Sequence, residues 1–151
     1  LFRGVNALNL DTKGRMAIPT RYRQRLVDSC HGQMVITVDN SDPCLLLYPL
    51  PEWEVIERKL QKLPSFNKQA RRLQRLLIGH ATDVEMDSAG RLLLPPPLRE
   101  FAELEKRVVL IGQSNKFEVW SEERWNERRD AWLAAEDDLE ELPAEMESMS
   151  L

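Results

Sequence analysis

The run Asp11-Thr12-Lys13-Gly14-Arg15-Met16-Ala17-Ile18-Pro19 returns 76 residues later as Asp87-Ser88-Ala89-Gly90-Arg91-Leu92-Leu93-Leu94-Pro95. Leu8 and Leu10 before the first copy match Val84 and Met86 before the second, and Arg23 matches Arg99. No other property constrains the fold as much, because the 151 residues must then build one structural unit twice. Halves of roughly 70 residues are marginal alone and are expected to pack on each other or on a neighbouring chain. What is duplicated is a turn that carries an arginine.

Local patterns extend the repeat in both directions. Val5 to Leu10 and Met16 to Ile18 read as short strands flanking Asp11-Thr12-Lys13-Gly14, a type I turn with left-handed glycine closing a tight hairpin. Pro19 ends the strand and Thr20 to Val27 reads as a short helix. Met34 to Val38 and Cys44 to Tyr48 form a second predicted hairpin. A helix starts at Pro51, with Trp53, Ile56, Leu60 and Leu63 as its buried stripe. A basic amphipathic helix follows over Asn67 to Ile78, with Ala70, Leu73 and Leu77 opposite Lys68, Arg71, Arg72 and Arg75. Ala81 to Trp120 replays the order, and a last helix carries Trp125 and Trp132, both expected in the core. Trp120 and Trp125 repeat Tyr48 and Trp53 at an offset of 72, so the second copy has lost four residues, mostly in loops.

Charge is unevenly spread. The net charge of −4 hides an acidic tail: residues 136–151 hold seven acids and no base, leaving 21 bases against 18 acids before it. Between Arg58 and Arg75 lie seven bases and no acid. No apolar run approaches the ~20 residues that cross a bilayer, and no signal-peptide pattern opens the chain, so a cytoplasmic location without membrane attachment is expected. Cys30 and Cys44 make no disulfide framework, and with His31 and His80 they lack zinc-ligand spacing. Buried inert thiols, no metal and no cofactor are expected.

Two chemistries compete for the duplicated motif. Asp11 and Asp87, each followed by Thr or Ser, could be a proton-sharing carboxylate pair. Against it, Lys13 and Ala89 stand where that motif has glycine, and an arginine follows each Gly14 and Gly90 to hold its neighbour ionised. Phosphate-cradling loops, His-Glu-x-x-His and nucleophile elbows are absent from the sequence. We therefore expect no enzyme and no small-molecule substrate. In the binding reading, Arg15 and Arg91 project from rigid strand starts toward a phosphate or a guanine edge, with Asp11 and Asp87 in support. A structural Asp–Arg pair that only pins the turn remains open beside it.

Longer stretches carry a family resemblance. Phe2-Arg3-Gly4, the segment from Asp11 through Arg23, and Pro43-Cys44-Leu45-Leu46-Leu47-Tyr48-Pro49 resemble the MraZ family. So do Arg72-Leu73-Gln74-Arg75-Leu76, Gly79-His80-Ala81, Met86 through Arg91, and Asn115 through Trp120. The resemblance spans about residues 2–133. It implies an α+β fold of tandem AbrB/SpoVT-like swapped-hairpin β-barrel units with short flanking helices, related by a pseudo-two-fold within the chain. It also implies a repressor that binds short double-stranded DNA repeats in the promoter of its own division and cell-wall gene cluster, as a homo-oligomeric ring associated with the nucleoid. The family's Asp-x-x-x-Arg signature falls on Asp11 and Arg15 and again on Asp87 and Arg91.

The expected division is 1–63 for the first unit, 64–79 for the basic connecting helix, 80–135 for the second unit and 136–151 for a disordered acidic tail. Arg15 and Arg91 are the expected main DNA contacts and Arg3 and Lys13 phosphate contacts, with Gly14 and Gly90 shaping the turns. Because Ala89 replaces Lys13 in the second copy, the first should bind more strongly. The rival reading is an oligomeric scaffold whose acidic tail docks partners and whose DNA binding is only nonspecific.

Overall fold

The computed structural model describes residues 1–135 together with Met146 and Met149; the expected acidic tail otherwise lies outside the described residues. In chain order the elements are β1 (Phe2–Asn9), β2 (Arg15–Ala17), α1 (Thr20–Cys30), β3 (Gln33–Val38), β4 (Leu45–Pro49), α2 (Leu50–Gln61) and α3 (Lys68–Leu77). The second half follows with β5 (Thr82–Glu85), β6 (Arg91–Leu93), α4 (Pro96–Phe101), β7 (Arg107–Ser114), β8 (Lys116–Ser121) and α5 (Glu122–Ala134). Among the described residues the fold is α+β, with antiparallel strand pairing and five helices.

Strand partners cross between the halves. Six strands form one antiparallel sheet in the order β1-β7-β8-β4-β3-β5, and β2 pairs with β6 in a separate two-stranded ribbon. β1 of the first copy therefore lies on β7 of the second, and β5 of the second lies on β3 of the first. Read from either end, the sheet presents equivalent strands in the same sequence. The ribbon is centred on Met16 opposite Leu92, and the β4–β8 pair on Leu46 opposite Glu118, each a pair of equivalent residues. A pseudo-two-fold axis passes through both.

The register also locates the four lost residues. Leu8 opposite Val108 has its equivalent in Val84 opposite Met34, so the repeat offset has fallen from 76 to 74 by β3 and β7. It falls to 72 across the loop joining β3 to β4, which is a tight turn at Asn115 in the second copy.

The tight hairpin expected around Asp11 is corrected by this topology. Asp11 N–H donates to Arg15 O at 3.0 Å and Gly14 N–H to Asp11 O at 3.0 Å, so the turn itself closes. Beyond it β1 and β2 part, one joining the large sheet and the other the ribbon. Strand patterning cannot distinguish the two outcomes, because alternation specifies which face is buried and leaves the partner open.

An inner apolar layer holds the halves together. Met16, Ile18, Leu92 and Leu94 of the ribbon, Leu26 of α1 and Leu98 of α4 pack with Met34, Ile36, Leu45, Leu47, Val108, Leu110, Phe117 and Val119 on the inner face of the sheet. On its outer face, α2 and α3 cover Val35, Leu46 and Tyr48, while Trp125 of α5 covers Val109, Ile111 and Trp120. Strands covered on both faces explain the near-continuous apolar runs at Met34–Val38 and Leu45–Tyr48. Pro51 and Glu52 open α2, Asn67 caps α3 by accepting from Gln69 N at 2.9 Å and Ala70 N at 3.1 Å, and Ser121 caps α5. Trp132 departs from expectation: it meets Trp120 and Trp125 edge to face but remains 49% exposed near the end of α5.

Candidate nucleic-acid interface

The two duplicated turns are nearly superimposable in their bonding. Asp11 Oδ1 accepts from the backbone N–H groups of Lys13 and Arg15, both at 2.9 Å, and Oδ2 accepts from Arg15 Nε at 2.7 Å. Asp87 Oδ1 accepts from Ala89 N at 3.0 Å and Arg91 N at 2.8 Å, and its Oδ2 from Arg91 Nε at 3.0 Å. Gly14 at φ +83° and Gly90 at +77° supply the left-handed position each turn requires. The backbone N–H of Arg15 is the main reason the Asp11 carboxyl is held down to about 2, with the guanidinium and Lys13 N–H assisting. Asp87 is lowered in the same way, first by the backbone N–H of Arg91. Two carboxylates sharing a proton would need one of them raised. Both are instead ionised, each closed on its own arginine.

The aspartates thus act as orienting groups. Each engages Nε, the inner nitrogen of the guanidinium, and among the described residues no hydrogen bond occupies the two terminal nitrogens of Arg15 or Arg91. Those terminal nitrogens form the fork that matches two acceptors on a phosphate or a guanine edge.

The ribbon then brings the arginines together. Arg15 lies opposite Leu93 and Arg91 opposite Ala17. These four residues share the face turned away from the buried Met16 and Leu92. Two residues along one strand and one strand across, the arginine Cα atoms are about 8 Å apart. Backbone bonds weld the turns to this ribbon from the opposite halves: Ile18 N–H donates to Gly90 O at 2.8 Å, and Leu94 N–H to Gly14 O at 3.1 Å.

A further arginine pair, matched in the sequence without an assigned role, completes the turns. Arg99 of α4 lies against Gly14 of the first half, where an added Cβ would come within 2.5 Å of its Cζ. Arg23 of α1 lies as tightly against Gly90 of the second half. Each is fixed by its Nε, Arg99 on Leu94 O at 3.0 Å and Arg23 on Ile18 O at 2.7 Å. The repeat itself signalled these residues, but not that each would cross to the other half.

The remaining expected site residues are dispersed. Lys13 is exposed in the first turn beside Asp11, where the second copy offers only Ala89. Arg3 sits near the opposite end of β1, six residues and about 20 Å of strand from Asn9. It lines a basic corner with Arg21 and Arg25 rather than joining the ribbon. On α3, Lys68, Arg71, Arg72 and Arg75 are exposed and make no ion pair among the described residues. Cys30 and Cys44 are free and buried, and burial pushes the Cys44 thiol far up. No cluster of three or more His, Cys, Asp or Glu side chains that could hold a metal occurs among the described residues. Nor is any described helix long and apolar enough to cross a membrane.

Comparison with known proteins places this geometry. Residues 1–76 and 77–146 each match the family described as "MraZ protein, putative antitoxin-like". The chain belongs to the MraZ family. Both matches run in register with the structural repeat, one turn in each. Curated relatives carry the name transcriptional regulator MraZ. That of Thioalkalivibrio sulfidiphilus is 61% identical over 151 residues, with 100% of both chains covered. That of Halorhodospira halophila is 60% identical over 153 residues with the same coverage, and that of Legionella pneumophila strain Corby is 58% identical over 152 residues, again covering both chains fully.

Proposed function

We propose that this chain is a sequence-specific repressor of transcription that reads double-stranded DNA through the β2–β6 ribbon. It binds short repeats in the promoter of its own division and cell-wall gene cluster, as a homo-oligomeric ring in the cytoplasm and on the nucleoid. Its exchanged strands form an AbrB/SpoVT-like swapped-hairpin barrel. The observation that carries the reading is the pairing of Arg15 and Arg91 on one exposed ribbon face, each held at Nε by an aspartate. A two-stranded ribbon fits the major groove, and a bidentate arginine is the commonest specific contact to guanine there. The names of the relatives support regulation, and the surplus of three positive charges over residues 1–135 supports a polyanionic partner.

Footprinting on the DNA upstream of the protein's own gene, followed by titration, tests the reading. Arg15→Ala is expected to weaken specific binding about 5- to 150-fold while the fold and assembly persist. Arg91→Ala should lose less, since Lys13 reinforces only the first turn. Affinity should fall steeply with salt. Equal binding by wild type and Arg15→Ala refutes the assignment.

A second reading, an oligomeric scaffold, draws on Trp132 and Leu133, exposed at the end of α5 just before the acidic tail. Deleting 137–151 separates the two. A scaffold loses a protein partner and keeps its DNA affinity, whereas a repressor with a charge-repelling tail gains nonspecific DNA affinity.

A further inference from the structure

The ribbon face is not symmetric. The repeat makes Ala17 and Leu93 equivalent, so one position beside an arginine carries a single methyl and its counterpart carries an isobutyl group. Leu93 is 54% exposed, while Leu92 and Leu94 on either side of it are fully buried. An isolated exposed leucine usually carries no message. This one stands directly across from Arg15 and two residues along the same strand from Arg91, on the face those arginines would carry to a polyanion. The apolar group that a major groove offers is the C5-methyl of thymine.

We propose that Leu93 is a specificity-determining residue that packs on the methyl group of a thymine neighbouring the base read by Arg15. The inference rests on the DNA-reading role given to the ribbon above. Side chains directly opposite in an antiparallel pair have Cβ atoms about 4.5–5.5 Å apart. That separation corresponds to one or two base steps of about 3.4 Å, so the methyl lies on a base pair next to the arginine's or one beyond it. Ala17, opposite Arg91, offers a shorter reach and less apolar surface for such a contact. The inequality gives the ribbon a direction: rotated about its pseudo-axis, the chain would still present an arginine at each place but would set Ala17 against the methyl.

The test uses the full-length protein and its preferred duplex, obtained by selection from a randomised library. Each thymine of that duplex is replaced in turn by deoxyuridine, which removes the methyl and nothing else. At one thymine near the Arg15 contact, deoxyuridine should weaken wild-type binding about fourfold, the value of one buried methyl-sized group. Leu93→Ala should bind the thymine duplex at least as weakly and show no further loss on the deoxyuridine duplex. Additive losses at every thymine, an unchanged affinity in Leu93→Ala, or a preferred duplex with no thymine in reach would overturn the proposal. So would a changed assembly mass in Leu93→Ala, which would place the leucine against another copy of the chain. Arg15→Ala separates the two levels. If it binds as tightly as wild type, the DNA-reading role fails. If it loses binding while no thymine couples to Leu93, only the leucine's role fails.

Discussion

Gly14→Ala perturbs the turn and its clamp from the opposite half in a single step. Two costs follow from the structure. The left-handed φ of +83° penalises any Cβ by about 1–2 kcal/mol. The new Cβ would also lie 2.5 Å from Cζ and 2.6 Å from Nη1 of Arg99, so the guanidinium must move and release Leu94 O. Losing that hydrogen bond costs about 0.5–1.5 kcal/mol. Lower entropy of the unfolded chain returns about 0.4–1 kcal/mol. The net destabilisation is about 0.5–3 kcal/mol, which for a chain of this size lowers Tm by about 1–12 °C. Thermal melts of Gly14→Ala, Arg99→Ala and the double variant form a cycle in which the Arg99 contribution appears once. In the Arg99→Ala background the glycine substitution should retain only its backbone cost. An equal cost in both backgrounds would refute the clamp, and a harmless Gly14→Ala would refute the left-handed requirement as well. Gly90→Ala and Arg23→Ala should reproduce the pattern from the other side.

Asp11→Asn keeps the Oδ1 acceptor for Lys13 and Arg15 N–H but sets an amide against Arg15 Nε; a modestly lowered melting temperature, with DNA binding weakened about two- to twelvefold, is expected, because Arg15 must then be immobilised on association. Unchanged binding would reduce the aspartate to a turn-former. The carboxyl of Asp11 is held down to about 2, below its ordinary value of 3.8. Its contribution to stability is therefore complete above that value and is lost as pH falls through about 2. DNA affinity that depended on Asp11 titrating between pH 5 and pH 8 would contradict this. Arg72→Glu, on the exposed face of α3, is expected to alter assembly mass by light scattering while sparing DNA affinity per chain. Lost affinity at unchanged mass would assign that face to the DNA backbone.

The repeat makes the turns, the arginines and the equivalence of the halves legible in the sequence, because turn chemistry is local. Asp at the first turn position, Gly at the fourth and an arginine after it fix one geometry wherever they occur. The partner of β1 was not legible. Its half-exposed pattern suits pairing with β2 as well as with β7, and the choice is made by partners about 100 residues away in sequence. Arg23 and Arg99 were visible as a matched pair, yet their targets lie across the pseudo-axis. Leu93 was hidden inside Leu92-Leu93-Leu94, an apolar run whose alternation emerges only when its neighbours are seen to point inward. The expectation for Trp132 failed because seven-residue spacing identifies a shared helix face but not how far the supporting sheet extends beneath it.

Strand exchange within one chain also fixes how this surface responds to dilution. The ribbon needs one strand from each half, and a ribbon shared by separate chains would come apart as concentration fell. Here the second strand is tethered by the first half's own backbone, so the pairing is intramolecular at every concentration. A cell holding a single copy of the chain would still hold a complete pair of arginine turns, and halves drawn apart would leave neither turn with the clamp it borrows from the other.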